Sequence, residues 1–216
     1  MVDREKKVTV FSYNFDLSKS AEGWDGDFSD YPEADSVLFE LEFDYTLLPE
    51  NISKTRKGLK VSGTNYNDDL FMFIKRKING LKPNTEYMVM FNVRFASNAP
   101  TGDFGVGGAP GENVIVKVGA TQTEPKKVLA SGYYQMNIDK GNQAQQGADA
   151  LVIGHVGVNA TTTQYSEIYR NNDSSNPFYV TTTNEGEVWV YIGTDSGFEG
   201  TTTLYYTSVD ILFNQE

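Results

Sequence analysis

The 216-residue chain has no cysteine and a single histidine, His155. The first absence removes disulfides, thiolate nucleophiles, CxxC redox pairs and cysteine metal sites together. The second removes most hydrolytic machinery, because Ser-His-Asp and Cys-His arrangements and histidine-rich metal centres need a partner that is present here at most once. His155 itself sits in an apolar run, VIGHV, where a strand histidine with a satisfied ring is the expected reading. Basic charge is also scarce, with 18 Lys and Arg against 29 Asp and Glu and a net charge of −11. Nucleic acid and anionic lipid are bound by cations that displace counterions, so neither is an expected partner.

Long apolar runs are missing as well. None approaches the roughly 18 residues that cross a bilayer as a helix, and the opening MVDREKKVTV lacks the apolar segment of a signal peptide. The expected state is a mature, soluble, monomeric chain without membrane insertion. Any export signal or lipid anchor would lie upstream of Met1. The Ser-, Thr-, Asn- and Tyr-rich composition leans toward an extracellular or cell-surface setting. Helical periodicity is absent too: no stretch keeps apolar residues at i, i+3, i+4 and i+7 over three turns, so helix should be short, with 49–54 the best candidate. Without strand-helix alternation a parallel sheet is disfavoured.

What the chain does contain is period-two patterning throughout, the signature of strands with one buried face. Candidate strands are 8–15, 37–45, 59–61, 70–78, 87–95, 114–118, 133–138, 151–158, 178–182, 187–192 and 204–213. Turn-formers separate them: Asn79-Gly80, Lys82-Pro83-Asn84, the glycine-rich 105–111, the polar run 171–177 and Asp195-Ser196-Gly197. Threonine triplets at 161–163, 181–183 and 201–203 are evenly spaced, but their flanks do not repeat, so they read as strand edges or loop shoulders. No low-complexity linker divides residues 1–216, and a β-sandwich of this length is ordinary as one domain with a core that needs no staple.

Three stretches resemble carbohydrate-binding modules and galactose-binding-like domains. Asn14-Phe15-Asp16 followed by Gly23-Trp24 is similar to their first strand and turn, GLKPNTEY at 80–87 to their turn into a central strand, and 200–213 to their closing strand. Fibronectin-type sandwiches share the second of these turns, in which Pro83 fixes φ and Asn84 tolerates the bend. The middle, including 105–112 and 137–143, matches no module signature and looks more like a bacterial surface or lipoprotein family on the same fold. The resemblance implies an all-β, two-sheet antiparallel sandwich of jelly-roll, galactose-binding-like topology. It also implies a carbohydrate or glycan partner, and a structural Ca²⁺ held between Asp16 and an acid of the closing strand. That acid is Asp210 here, displaced from the family's Tyr-x-Asp-Asp-Val pattern.

A sugar binder needs flat rings for the C–H faces of pyranoses and amides or carboxylates for their hydroxyls. The loop-placed candidates are Trp24, Tyr31, Tyr66 and Phe198, with Asp27, Asn65 and Asp68 as polar partners and Asn67, Asp69, Asn142 and Gln143 nearby. The acid-rich 24–31 and 195–200 each begin like a cation loop, yet acid-rich turns are the plainer reading. Three readings of function stay open: a non-catalytic glycan-binding module, a structural or protein-contacting surface domain without a sugar site, and a jelly-roll glycoside hydrolase. The last would rest on Glu40, Glu42 and Asp44 alternating along one strand face. The plainer account is that Leu41, Phe43 and Tyr45 face the core and the acids face water.

Overall fold

A computed structural model describes residues 9–159 and 164–215; Val8 and the triplet 161–163 lie outside the described residues. In chain order the first strands are β1 (Thr9–Asp16), β2 (Asp25–Ser29), β3 (Tyr31–Pro32), β4 (Glu42–Leu47) and β5 (Lys57–Thr64). The central ones follow: β6 (Leu70–Ile78), β7 (Glu86–Ser97), β8 (Val114–Thr121), β9 (Lys127–Ala130) and β10 (Tyr133–Met136). The last are β11 (Leu151–His155), β12 (Ser166–Asn171), β13 (Phe178–Thr181), β14 (Val188–Ser196) and β15 (Thr201–Gln215).

These strands build the two-sheet, antiparallel jelly-roll sandwich expected from the sequence. The first sheet runs β12–β7–β15–β5–β4, with β1 also on β15 and β13 also on β7. The second runs β11–β8–β14–β6–β2, and a marginal sheet, β3–β10–β9, stands beside it. The long β15 organises the first sheet. Its opening residues pair with β5 and its later ones with β1, while its other edge pairs with β7.

Alternation decides what lies between the sheets. On β7 the inward residues Tyr87, Val89, Phe91, Val93 and Phe95 are fully buried, and Val209, Ile211 and Phe213 of β15 join them. Val114, Val116 and Val118 of β8 meet them from the second sheet, with Val188, Val190 and Ile192 of β14. The second sheet is covered on its outer face as well, where Phe71, Phe73 and Tyr191 pack under Ala150. This double burial explains why 70–74 reads LFMFI, a continuous apolar run, rather than alternating.

Several local expectations change. Residues 37–45 are not one strand: a 3-10 turn, Ser36–Phe39, precedes a left-handed Glu40 at φ 46°, and only then does β4 begin. At 49–54 the amides of Ile52 and Ser53 both donate to the Pro49 carbonyl, a single turn rather than a helix. The acid-rich 24–31 is strand β2 hydrogen-bonded to β6, followed by a turn at left-handed Asp30. It is not a cation loop, because its backbone is committed to the ladder. The sequence pattern does not predict strands β9 and β12, since neither carries the alternation that marks a half-buried strand.

Candidate functional site

The outer face of the first sheet carries a groove of about 630 Å³. Register places Asn14 of β1 opposite Asp210 of β15, Asp210 opposite Asn92 of β7, and Asn92 opposite Asn171 of β12. Four strands thus contribute one transverse row of three amides and one carboxylate, about 14 Å across at ordinary strand spacing. The row faces outward because its strand neighbours, Phe15, Val209, Ile211, Phe91 and Val93, face the core. Asn14 Nδ2 donates to Asp210 Oδ1 at 3.0 Å, which orients that carboxylate. Asn14, Asn92 and Asn171 are exposed. On one side of the row Leu212 and Met90 stand opposite each other and supply an apolar floor.

On the other side, Tyr169 is half exposed and lies opposite Arg94. The Arg94 guanidinium sits 4.3 Å from the centre of the Tyr169 ring and is hydrogen-bonded to its hydroxyl. The ring is thereby fixed, one face under the guanidinium and about half of the residue left exposed. The groove wall is the loop after β12. It is held by buried Asn172, whose Oδ1 accepts the Phe91 N–H at 2.7 Å and whose Nδ2 donates to the carbonyls of Val89 (3.0 Å) and Asn176 (3.2 Å). Asn172 fills the gap along β7 between its partners β12 and β13.

A second depression of about 340 Å³ continues along the same face. It is reached through Met88 and Asn214, each two residues beyond Met90 and Leu212 on their strands, and it is bounded by half-exposed Tyr179. Tyr169 stands opposite Arg94 and Tyr179 opposite Met88. Six residues of β7 therefore separate the two rings, about 20 Å at strand rise. Neither depression is lined by Lys or Arg.

The residues chosen from the sequence do not converge on one place. Trp24 is buried, edge-on to Phe15, and Tyr31 is buried between Phe39 and Tyr134. Neither ring is open for stacking, because each packs into the hydrophobic core. Asn65 is buried too, its Nδ2 spent on the carbonyls of Ser196 (2.7 Å) and Phe198 (3.0 Å) and its Oδ1 on the Asn67 N–H (3.1 Å). Asp27 pairs with Lys127 at 3.2 Å. Phe198 is partly buried against the core, and Asp68 occupies a left-handed turn position. Tyr66 alone among the four rings is largely exposed, resting edge-on against Phe39. His155 accepts the Gly157 N–H on Nδ1 at 3.1 Å.

Of the two calcium candidates, Asp210 lies in the groove row and Asp16 beside it. Asp16 is occupied by Lys19 at 2.7 Å and Ser18 Oγ at 2.6 Å, which hold its carboxyl down to about 2. Asp210 is bonded to an asparagine. Among the described residues no group of three or more His, Cys, Asp or Glu side chains is placed to hold a metal ion. This donor set does not fit Ca²⁺, which takes six to eight oxygens. Removal of divalent ions with EDTA, followed by added Ca²⁺, is expected to leave Tm unchanged; a rise of several degrees with Ca²⁺ would reveal a site of another composition.

The three acids considered for catalysis separate. Glu40 ends the 3-10 turn, so only Glu42 and Asp44 lie on β4, where both point away from the core and Glu42 pairs with Lys60 at 2.6 Å.

The sequence matches no family model and no curated protein. Among solved structures, it is similar to the carbohydrate-binding module TmCBM61, solved with β-1,4-galactotriose, at 6% identity over 87% of this chain and 86% of that one, TM-score 0.36. The mannan-recognising module TmCBM27 aligns at 8% identity over 98% and 99%, TM-score 0.37. Peanut lectin with a nonamer peptide aligns at 10% identity over 95% and 97%, TM-score 0.41. These likenesses concern the path of the chain, and the sandwich itself stands on its own strand order and register.

Proposed function

We propose that the protein is a non-catalytic carbohydrate-binding module that lays an uncharged oligosaccharide along the outer face of the first sheet, in an extracellular or surface setting. The observation that carries this reading is the row Asn14–Asp210–Asn92–Asn171 between an apolar floor and the fixed ring of Tyr169. Sugar hydroxyls both donate and accept; asparagine amides do the same, and a carboxylate accepts. The C–H face of a pyranose suits an open tyrosine ring or a Met-Leu floor.

Charge narrows the class. The Asp210 carboxylate in the row disfavours a uronate or sulfate beside it, and the one cation at the groove, the Arg94 guanidinium, is engaged with Tyr169. The in-line second depression, ending at Tyr179, favours a chain of several sugars over a terminal unit. Hydrolysis of a glycosidic bond ordinarily needs two carboxyl groups flanking it. The main groove offers one, already bonded to Asn14.

Isothermal titration of the full chain against neutral and acidic glycans tests the proposal. A neutral oligosaccharide is expected to bind, and Tyr169→Ala or Asn92→Ala to weaken it about tenfold each. Tyr66→Ala, on an exposed loop ring away from the groove, should leave affinity intact. Silence across the panel, or binding indifferent to both groove variants, would overturn it.

A further inference from the structure

The loops after β5, β7 and β14 leave the sandwich at one end. Register puts them together: Thr64 pairs with Thr201, where β15 begins, and Ser196, where β14 ends, pairs with both Leu70 and Val114. Loop 98–113 is braced against 197–200. The Glu199 N–H donates to the Val106 carbonyl at 2.8 Å, and a Cβ on left-handed Gly107 would stand 2.1 Å from the Gly197 carbonyl oxygen. Within the loop, the Gly102 N–H donates to Glu112 Oε1 at 2.7 Å. Tyr66, in the loop after β5, stands edge-on to Phe39, which brings the 3-10 turn Ser36–Phe39 alongside.

What these braced segments show to solvent is apolar. Phe104 is 96% exposed and Val37 87%, and Val106, Tyr66 and Leu38 are each more than half exposed. Holding a loop in place while leaving its apolar groups in water adds nothing to the core, and a patch of this kind with a polar rim marks an interaction surface. The rim is acidic. Segments 35–41, 65–69, 98–113 and 197–200 carry seven carboxyl side chains and no Lys, Arg or His. Asp35, Glu40, Asp68 and Asp103 are exposed, and among the described residues none of the seven is ion-paired.

An apolar patch in a field of one sign selects its occupant by charge. Anionic lipid is repelled, and a zwitterionic membrane offers the carboxylates no net counter-charge. A second copy presenting the same end sets like charge against like. A basic protein surface meets both the apolar side chains and the field.

We propose that this end of the sandwich is a docking surface for a basic protein partner, one that presents Lys or Arg side chains around an apolar contact. Phe104, Val106 and Val37 are the anchors and the carboxylates are the rim. Asp210 of the groove stands nine residues beyond Thr201 on β15, about 30 Å at strand rise, so partner and glycan can be bound together.

Titration of the full chain with a short peptide of alternating lysine and leucine, and with its glutamate-leucine counterpart, tests the proposal. The lysine peptide is expected to bind and the glutamate peptide is not, with affinity falling about tenfold between low and physiological salt. Phe104→Ser combined with Val106→Ser should weaken the lysine peptide about tenfold and leave Tm unchanged, since both side chains are exposed. Asp68→Asn combined with Asp103→Asn should weaken it and flatten the salt dependence. Silence toward the lysine peptide overturns the proposal, as does equal binding of both peptides or binding indifferent to the apolar pair. Adsorption to phosphatidylcholine vesicles without peptide binding also overturns it and assigns this end to a lipid surface.

Discussion

Asp195→Ala is expected to lower the unfolding free energy by about 3–5 kcal/mol, the usual cost of stranding a buried charge by removing its partner. Asp195 and Lys117 are both fully buried, and Lys140 is nearly so. Without the carboxylate, Lys117 keeps only carbonyl acceptors, and Lys140 keeps Asp30 and the Gly141 carbonyl at 3.2 Å. The double replacement Lys117→Met with Asp195→Leu should cost less than Asp195→Ala, because it removes a buried charge together with its counter-charge. Guanidinium denaturation is the measurement, with the midpoint falling at constant m. A loss below about 1 kcal/mol would mean that water reaches the centre and screens it.

Asn172→Ala should cost about 2–4 kcal/mol, since it leaves the buried Phe91 N–H and Val89 carbonyl without partners. The effect on binding is the more informative half. The neighbouring Asn171 is exposed and contributes to the row, so Asn171→Ala should leave stability within about 0.5 kcal/mol and weaken glycan binding through a lost contact. Asn172→Ala should weaken binding by letting the groove wall move. Urea denaturation and titration on the same two variants separate these cases. Equal stability of both variants would place the wall's support elsewhere.

The sandwich was legible because burial on one face imposes period two, which the inward residues of β7 show from Tyr87 to Phe95 and those of β15 show on either side of a bulge at Thr207. The elements that escaped are those in which another influence outweighs the pattern. In β2 the residues DGDF have poor strand propensity and are held by pairing with β6. At Glu40 a left-handed residue interrupts an otherwise plausible strand. The site was less legible. Loop aromatics such as Trp24 and Tyr31 carry the right chemistry, but residue type does not reveal which rings the second sheet and its neighbours cover. A signal was present in the outward positions of β7 and β15. Met88, Met90, Asn92, Asp210, Leu212 and Asn214 stand where a merely solvated sheet face more often carries Lys and Glu.

The pairing of β1 with β15 also sets an order of events. Asn14 and its partner Asp210 are 196 residues apart in the chain. During synthesis Asn14 leaves the ribosome 196 residues ahead of the carboxylate beside which it will stand. The row Asn14–Asp210–Asn92–Asn171 is therefore complete only once β15 has been made. A nascent chain still lacking β15 has the edges of β1, β5 and β7 unpaired, and these are its points of exposure to misassembly until β15 arrives.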